Sequence, residues 1–191
     1  MGKKLYIRAL LARSGREAFS LIEVTILALL LLVAMGGLSG AVLSSLRLSR
    51  VTEESALADE AARALGARMQ VTAFTSIFRQ YDANPANDLV PGTGPGSAFD
   101  VRGLTARQGD ADGRVGRIVF PAVDLIAPAQ ALREDVVDAR LGMLAGRDLN
   151  LDGDAIDDVT IGYQLLPVRV IVEWTGAGGN RSYELDLVLT P

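Results

Sequence analysis

A stretch of 23 residues, Val24 to Leu46, carries no ionisable side chain, and a single carboxylate, Glu23, stands at its head. As a helix rising 1.5 Å per residue it would cover about 34 Å, enough to cross a hydrocarbon core of about 30 Å. A lone carboxylate placed in lipid costs on the order of 2.5–3.5 kcal/mol by insertion scales. Keeping Glu23 at that cost calls for a task. Ahead of the run, Lys3, Lys4, Arg8, Arg13 and Arg16 against Glu17 give a leader of net charge +4. Positive charge before a first apolar segment holds that end in the cytoplasm and sends the rest of the chain outward. A secretory signal would carry its small-residue cleavage site after the apolar stretch. Here the natural break comes before it, between the basic leader and Phe19.

Ala18-Phe19-Ser20-Leu21-Ile22-Glu23-Val24 resembles the class III signal of type IV pilins and of the pseudopilins of type II secretion. That resemblance implies cleavage between Ala18 and Phe19 by prepilin peptidase, methylation of the new amino terminus at Phe19, and a role for Glu23 in assembly. It implies other pilin or pseudopilin subunits, an assembly ATPase and an inner-membrane platform as partners. It also implies a single pass in the inner membrane with the C-terminal domain outside the cytoplasm, then a periplasmic or extracellular fibre. Ala18 departs from the glycine usual in the family, yet is small enough for the peptidase. The match is specific over Ala18–Val24, good through about Gln70, and loose beyond.

Composition narrows the chemistry. Removing the leader takes five of 19 basic and one of 23 acidic residues, leaving 14 against 22, a net charge of −8. Both lysines lie in the leader and the chain has no His or Cys. Imidazole-based triads, thiol nucleophiles, Schiff-base lysines and His/Cys metal sites are therefore not expected in the mature chain. An acidic domain also argues against nucleic-acid binding, which wants a basic surface. No enzyme is expected. Without cysteine, a C-terminal loop cannot be closed by a disulfide, so stapling must come from packing or an ion.

Past the membrane the helix is expected to continue. Arg47 and Arg50 mark the exit from lipid, and Val51–Tyr81 contains no proline. Leu57, Ala61, Leu65 and Met69 recur every four residues, and Phe74, Ile77, Phe78 and Tyr81 fall at helical spacing, making one apolar stripe. Thr52-Glu53-Glu54, Asp59-Glu60, Arg63 and Arg68 fill the opposite side. Pro85 ends the pattern after Asp82. The spacing predicts one helix of about 60 residues. Within its membrane half, Gly36 and Gly40 form a G-x-x-x-G that permits close approach of a second helix; glycine is also simply common in membrane helices.

Strand signals follow a Pro/Gly-rich loop over residues 83–96. Phe99–Leu104 and Val115–Phe120 suggest a hairpin, and Val159–Leu166 a further strand. Residues 121–147 suit either a short helix within Pro128–Gly142 or an ordered excursion. Val168, Val170, Val172 and Trp174, then Leu185, Leu187 and Leu189, alternate on either side of the turn Gly176–Asn180 and predict a terminal hairpin. This Trp174-centred hairpin is similar to that of minor pilins and small pseudopilins. Asp148, Asn150, Asp152, Asp154, Asp157 and Asp158 place oxygen donors around Gly153, resembling the first half of an EF-hand-type or dockerin-type Ca²⁺ loop. Val159 stands where the bidentate glutamate would be, and the same residues suit an Asx-rich turn without an ion.

The expected fold is α+β and pilin-like: one long N-terminal helix packed on a C-terminal antiparallel sheet. Its parts are a leader (1–18), a transmembrane or fibre-core helix (19–46), an amphipathic extension (47–82) and an exocytoplasmic β-rich domain (83–191). The expected function is a minor pilin or pseudopilin. Two alternatives stay open: an adhesion or DNA-uptake tip subunit on the same fold, and a helix-anchored exocytoplasmic enzyme.

Overall fold

The structure is a computed structural model and describes residues 20–191. It forms two compact units, one ending at Ser45 and the other comprising Leu46–Pro191. The first is helical. Helix α1, Leu21–Val71, starts from Ser20, whose Oγ accepts the Ile22 N–H at 3.3 Å. Every residue from Leu21 to Arg50 is exposed, so among the described residues the apolar run has no packing partner on any side. It is long and apolar enough to cross a membrane.

In the second unit, α1 from Leu46 onward carries a buried face of Ala58, Ala62, Gly66 and Met69, with Leu57, Ala61 and Leu65 half-buried beside it. The stripe is thus centred one position later than the four-residue spacing predicted. Small side chains on the helix leave room for large ones on the sheet. Ala58 and Ala62 pack with Val170, Val172 and Trp174, while a Cβ on Gly66 would lie 2.8 Å from Leu187 Cδ1.

The expected 60-residue helix is shorter and broken. α1 ends at Val71, Ala73 is extended, a 3₁₀ turn covers Phe74–Ser76, and α2 spans Ile77–Tyr81. The cause is not local. Tyr163 donates its hydroxyl to Phe74 O at 2.7 Å and accepts the Phe78 N–H at 3.3 Å, satisfying groups freed by the break. The redirected segment then buries Ile77, Phe78 and Tyr81 in a core with Ile118, Phe120, Leu132 and Val168.

The main sheet has the order β1-β2-β5-β6, wholly antiparallel, from Ala98–Phe99, Gly116–Val119, Leu166–Gly176 and Gly179–Leu189. The terminal predicted hairpin forms; of the other, Val115–Phe120 holds strand β2, but Phe99–Leu104 contributes only Phe99, paired with Gly116. The terminal one is in register from Leu166↔Leu189 to Gly176↔Gly179, and its two-residue loop is followed by Gly179 at φ +93°. Simple alternation along β5 does not hold. Arg169 and Ile171, on the face opposite Val170, are buried as well. The 3₁₀ turn Ala139–Leu141 packs against β5, and Arg169 forks onto Asp186 at 2.6 and 3.0 Å.

One open alternative is decided and one expectation changes. Residues 121–147 hold a second small sheet, β3 (Ala122–Asp124) paired with β4 (Gln130–Leu132), and that 3₁₀ turn, rather than a helix over Pro128–Gly142. Val159–Leu165 is a turn, not a strand. Gly162 takes φ +108°, and the N–H groups of Gln164 and Leu165 both go to Leu149 O. That geometry delivers Tyr163 to the helix break.

The β5–β6 turn is clamped to α1. Glu54 accepts from Trp174 Nε1 at 3.2 Å and from Ala177 N at 3.1 Å, and a Cβ on Gly176 would fall 1.8 Å from its Oε2. The Tyr183 hydroxyl donates to Asp59, which also pairs with Arg63 at 2.6 Å. Glu54 and Asp59 therefore face the sheet instead of filling the helix's outer side. Glu54→Ala is expected to cost about 1.5–3 kcal/mol, the range for hydrogen bonds to a charged group. Denaturant unfolding of a 46–191 fragment, followed by the single Trp, checks this. An unchanged midpoint would show that the clamp contributes nothing to stability.

Candidate functional site

Of the residues singled out in the apolar segment, Ala18 and Phe19 lie outside the described residues. Glu23 sits in the first turn of α1, exposed, three positions after Ser20. Ser-x-x-Glu at a helix start is a capping-box pattern, and an acid there also favours the helix dipole. Glu23 thus has a local structural role available beside any assembly role. Gly36 and Gly40 are exposed, and a Cβ on either would meet nothing within 4 Å. Their lack of side chain answers no demand among the described residues.

The acidic loop is built around a residue that its own spacing did not reveal. Glu134 is fully buried, at 0% exposure. Its Oε1 accepts from Leu149 N at 2.7 Å and Asn150 N at 3.1 Å, and its Oε2 from Asp157 N at 3.2 Å. Its backbone adds a second set: Glu134 N donates to Asp157 O, and Arg147 N donates to Glu134 O. Gly146, at φ +80°, must be glycine to pass, since a Cβ would lie 2.8 Å from Glu134 O. Arg133 holds the far side, with two bonds to Asp135 and one to Ile156 O.

Within the loop the six predicted ligands divide. Asp148 caps the N–H groups of Leu151 and Gly153 and holds Leu151 at φ +63°. Asn150 accepts from Asp152 N and donates to the Asp152 carboxylate. Asp158 accepts from the N–H and hydroxyl of Thr160. Asp154 and Asp157 are brought together instead with Glu134, one oxygen from each lying within 4.8 Å of the others. The charges are in conflict there. Asp154 above all, then burial, Asp152 and Glu134, push the Asp157 carboxyl up from its ordinary value. Asp152 is held below its usual range, first by the N–H of Asp154 and then by Asn150. Asp158 is lowered by the Thr160 hydroxyl and N–H. The convergent oxygens are hard donors suited to a cation such as Ca²⁺.

A separate cleft of about 300 Å³ is lined by Asp82, Asp88, Arg114 and the glycines 92, 94 and 96. Burial raises the Asp82 carboxyl. Both its oxygens are engaged, one by Asn84 N and the other by the Asn87 amide, and Asp88 accepts from Gly94 N. These acids hold the 82–96 loop in shape. No protein family, curated protein or solved structure matches this chain.

Glu134 is the residue whose loss the acidic loop should feel most. Glu134→Ala is expected to destabilise the 46–191 fragment by about 2–4 kcal/mol, because it strands buried N–H donors. Asp148→Ala, which frees donors near solvent, should cost about 1 kcal/mol. Paired denaturation curves test the order, and equal effects would remove Glu134 from the centre of the loop.

Proposed function

We propose that this chain is a minor pilin or pseudopilin, a structural subunit that waits in the inner membrane and joins or primes a type IV pilus or type II secretion fibre. The observation that carries this reading is helix α1. Its charge-free segment is exposed on all sides behind a single first-turn acid, and its later turns form the backbone of a sheet domain. A prepilin peptidase would cut between Ala18 and Phe19 and methylate Phe19. An assembly ATPase and its membrane platform would then move the subunit from lipid into a bundle of like helices. The surface gives less support to the tip-adhesin and DNA-uptake alternative. Arg107 and Arg117 both bind Glu173, and Arg114 binds Asp100, so these arginines make no free basic patch. The anchored-enzyme alternative would need free convergent carboxylates in the 82–96 cleft, where Asp82 and Asp88 are already engaged.

Intact mass of membrane-extracted protein is expected to show loss of residues 1–18 and one added methyl group. A mature protein retaining Lys3 and Lys4 overturns the reading. Glu23→Gln separates the two roles of that residue, since glutamine also completes a capping box. Glu23→Gln and Glu23→Ala should both insert and be cleaved, and both should fail to enter sheared fibre fractions. Normal entry of Glu23→Gln would leave the residue with its capping role alone.

The acidic loop fits the same reading as a Ca²⁺ site of the exported domain, held by Glu134, Asp154 and Asp157 with Asp152 adjacent. Ion binding to the folded state alone would add about 2.7 kcal/mol at a hundredfold excess over Kd. The sign with pH follows from Asp157. A carboxyl raised in the folded state favours folding while protonated, and that contribution is lost as pH rises through the folded value. A cation then takes the proton's place. The melting-temperature gain in millimolar Ca²⁺ should therefore be small at acid pH and grow as pH rises. Asp157→Asn should raise stability without calcium and diminish the calcium response. Identical melting with Ca²⁺ and with chelator at neutral pH returns the loop to a solvated acidic turn.

A further inference from the structure

Strand β6 lies at an edge of the main sheet, and only one side of its backbone is used. Along β5, Glu173 N donates to Val115 O and Thr175 N to Thr105 O, so the odd-numbered residues turn their peptide groups toward β2. Their partners on β6 turn the opposite way. Asn180, Ser182, Glu184, Asp186 and Val188 stand opposite Thr175, Glu173, Ile171, Arg169 and Pro167, and point their N–H and C=O groups away from β5. Among the described residues none of these groups has a backbone partner. Edge strands are commonly guarded by brevity, proline, lysine or a bulge. β6 runs eleven residues, Gly179–Leu189, in unbroken register and without proline or lysine. Its charges do not guard it either, because they are turned back onto the fold. Arg181 lies over the Trp174 ring at 5.8 Å, and Asp186 takes the fork of Arg169. Glu184 is held least, with Arg140 and Arg169 both at 3.7 Å, beyond hydrogen-bond reach. At the C-terminal end of the strand, a cleft of about 410 Å³ opens between the helix break (Thr72, Phe74, Ile77) and Leu189, Thr190 and Pro191.

We propose that β6 takes up an extended segment of another polypeptide as a further, antiparallel strand of the main sheet. The row of open peptide groups selects an extended chain, and the antiparallel sense is the more stable per residue. Side chains add specificity at two places. The residue opposite Glu184 is lysine or arginine, reaching a carboxylate that its own arginines leave without a hydrogen bond. The residue opposite Leu189 is apolar and fills the cleft beside the helix break. A second copy of β6 fits poorly, since full antiparallel overlap sets Glu184 against Glu184, and like charges directly opposite are destabilising. All the groups involved belong to Leu46–Pro191, so this contact is separate from the apolar segment and from its proposed place in a fibre.

The probe is a labelled synthetic peptide with blocked ends, Leu-Thr-Val-Thr-Val-Lys-Thr-Thr-Val-Thr, whose leucine falls opposite Leu189 when its lysine falls opposite Glu184. Titrated with the full-length chain in detergent, it is expected to bind saturably by fluorescence anisotropy. Amide exchange followed by NMR should then show new protection at Asn180, Ser182, Glu184, Asp186 and Val188. The residues between them, whose N–H groups already bond to β5, should change little. N-methylating the lysine and the next-but-one residues on either side removes N–H groups that face β6, and should abolish binding. N-methylating the residues between should leave it intact. Exchanging the lysine for glutamate should weaken binding several-fold, and Glu184→Lys in the protein should recover the glutamate peptide. Exchanging the leucine for serine should also weaken it. Absence of saturable binding overturns the proposal, as does binding indifferent to which amides are methylated or to both side-chain exchanges. Protection of the same amides without peptide, growing with protein concentration, assigns the edge to a second copy and overturns it as well.

Discussion

The sheet domain depends on one face of α1 between Ala58 and Met69. Three of its four buried positions, Ala58, Ala62 and Gly66, have almost no side chain, and the sheet answers with Trp174, Val170, Val172 and Leu187. Fully burying a large apolar side chain is worth about 1.5–3 kcal/mol. An exposed pair such as Arg63–Asp59 is worth at most about 1 kcal/mol. Packing therefore decides that the sheet lies on this face, and polar contacts decide where along it. Glu54 fixes the β5–β6 turn at one end and Tyr163 fixes the helix break at the other, so the sheet has no freedom to slide.

What was legible in the chain was whatever depends on near neighbours. The apolar run, the α1 stripe to within one position, and the β5–β6 hairpin with its glycine turn all follow from spacing. The break at Thr72 was hidden because nothing local demands it. Phe74, Ile77, Phe78 and Tyr81 keep helical spacing across the break, and the hydroxyl that makes the break affordable comes from Tyr163, 89 residues away. Val159–Leu166 read as a strand for the mirror reason: its composition suits one, but the chain needs a turn there to deliver Tyr163. The burial of Arg169 and Ile171 has no sequence signal, because the turn that covers them lies in the segment with no readable period. Ser20 with Glu23 forms a capping-box pattern inside the same stretch that carries the membrane signal.

Glu134 shows the same limit at the candidate site. Its hydrogen-bond partners lie 15, 16 and 23 residues away, so no motif length could contain them. In a chain without cysteine this carboxylate takes on a cross-linking task, gathering Leu149, Asn150 and Asp157 by their backbone N–H groups. A buried charge needs this many donors to be tolerated. The arrangement has an electrostatic consequence. Three N–H groups satisfy Glu134 without neutralising it, so its charge still reaches Asp157, where Asp154 and Asp152 add to it. The loop that shapes the domain is thereby also a place where a proton is favoured, on Asp157.

The apolar segment raises a different question of balance. Between Leu21 and Leu48 the large side chains are exposed around the whole helix. For these side chains lipid and a bundle of similar helices are nearly equivalent surroundings, since lipid tails are as apolar as leucine. On the proposed subunit reading, leaving the membrane for a fibre would gain little from the leucines themselves. The direction of transfer would then have to come from groups that lipid satisfies poorly. Glu23 is one, a charge with no ion-pair partner among the described residues. Gly36 and Gly40 are another, where bare backbone gives van der Waals packing that disordered acyl chains match less well. The leucines make the helix admissible in either medium, and these few exceptions are what can make one medium preferred.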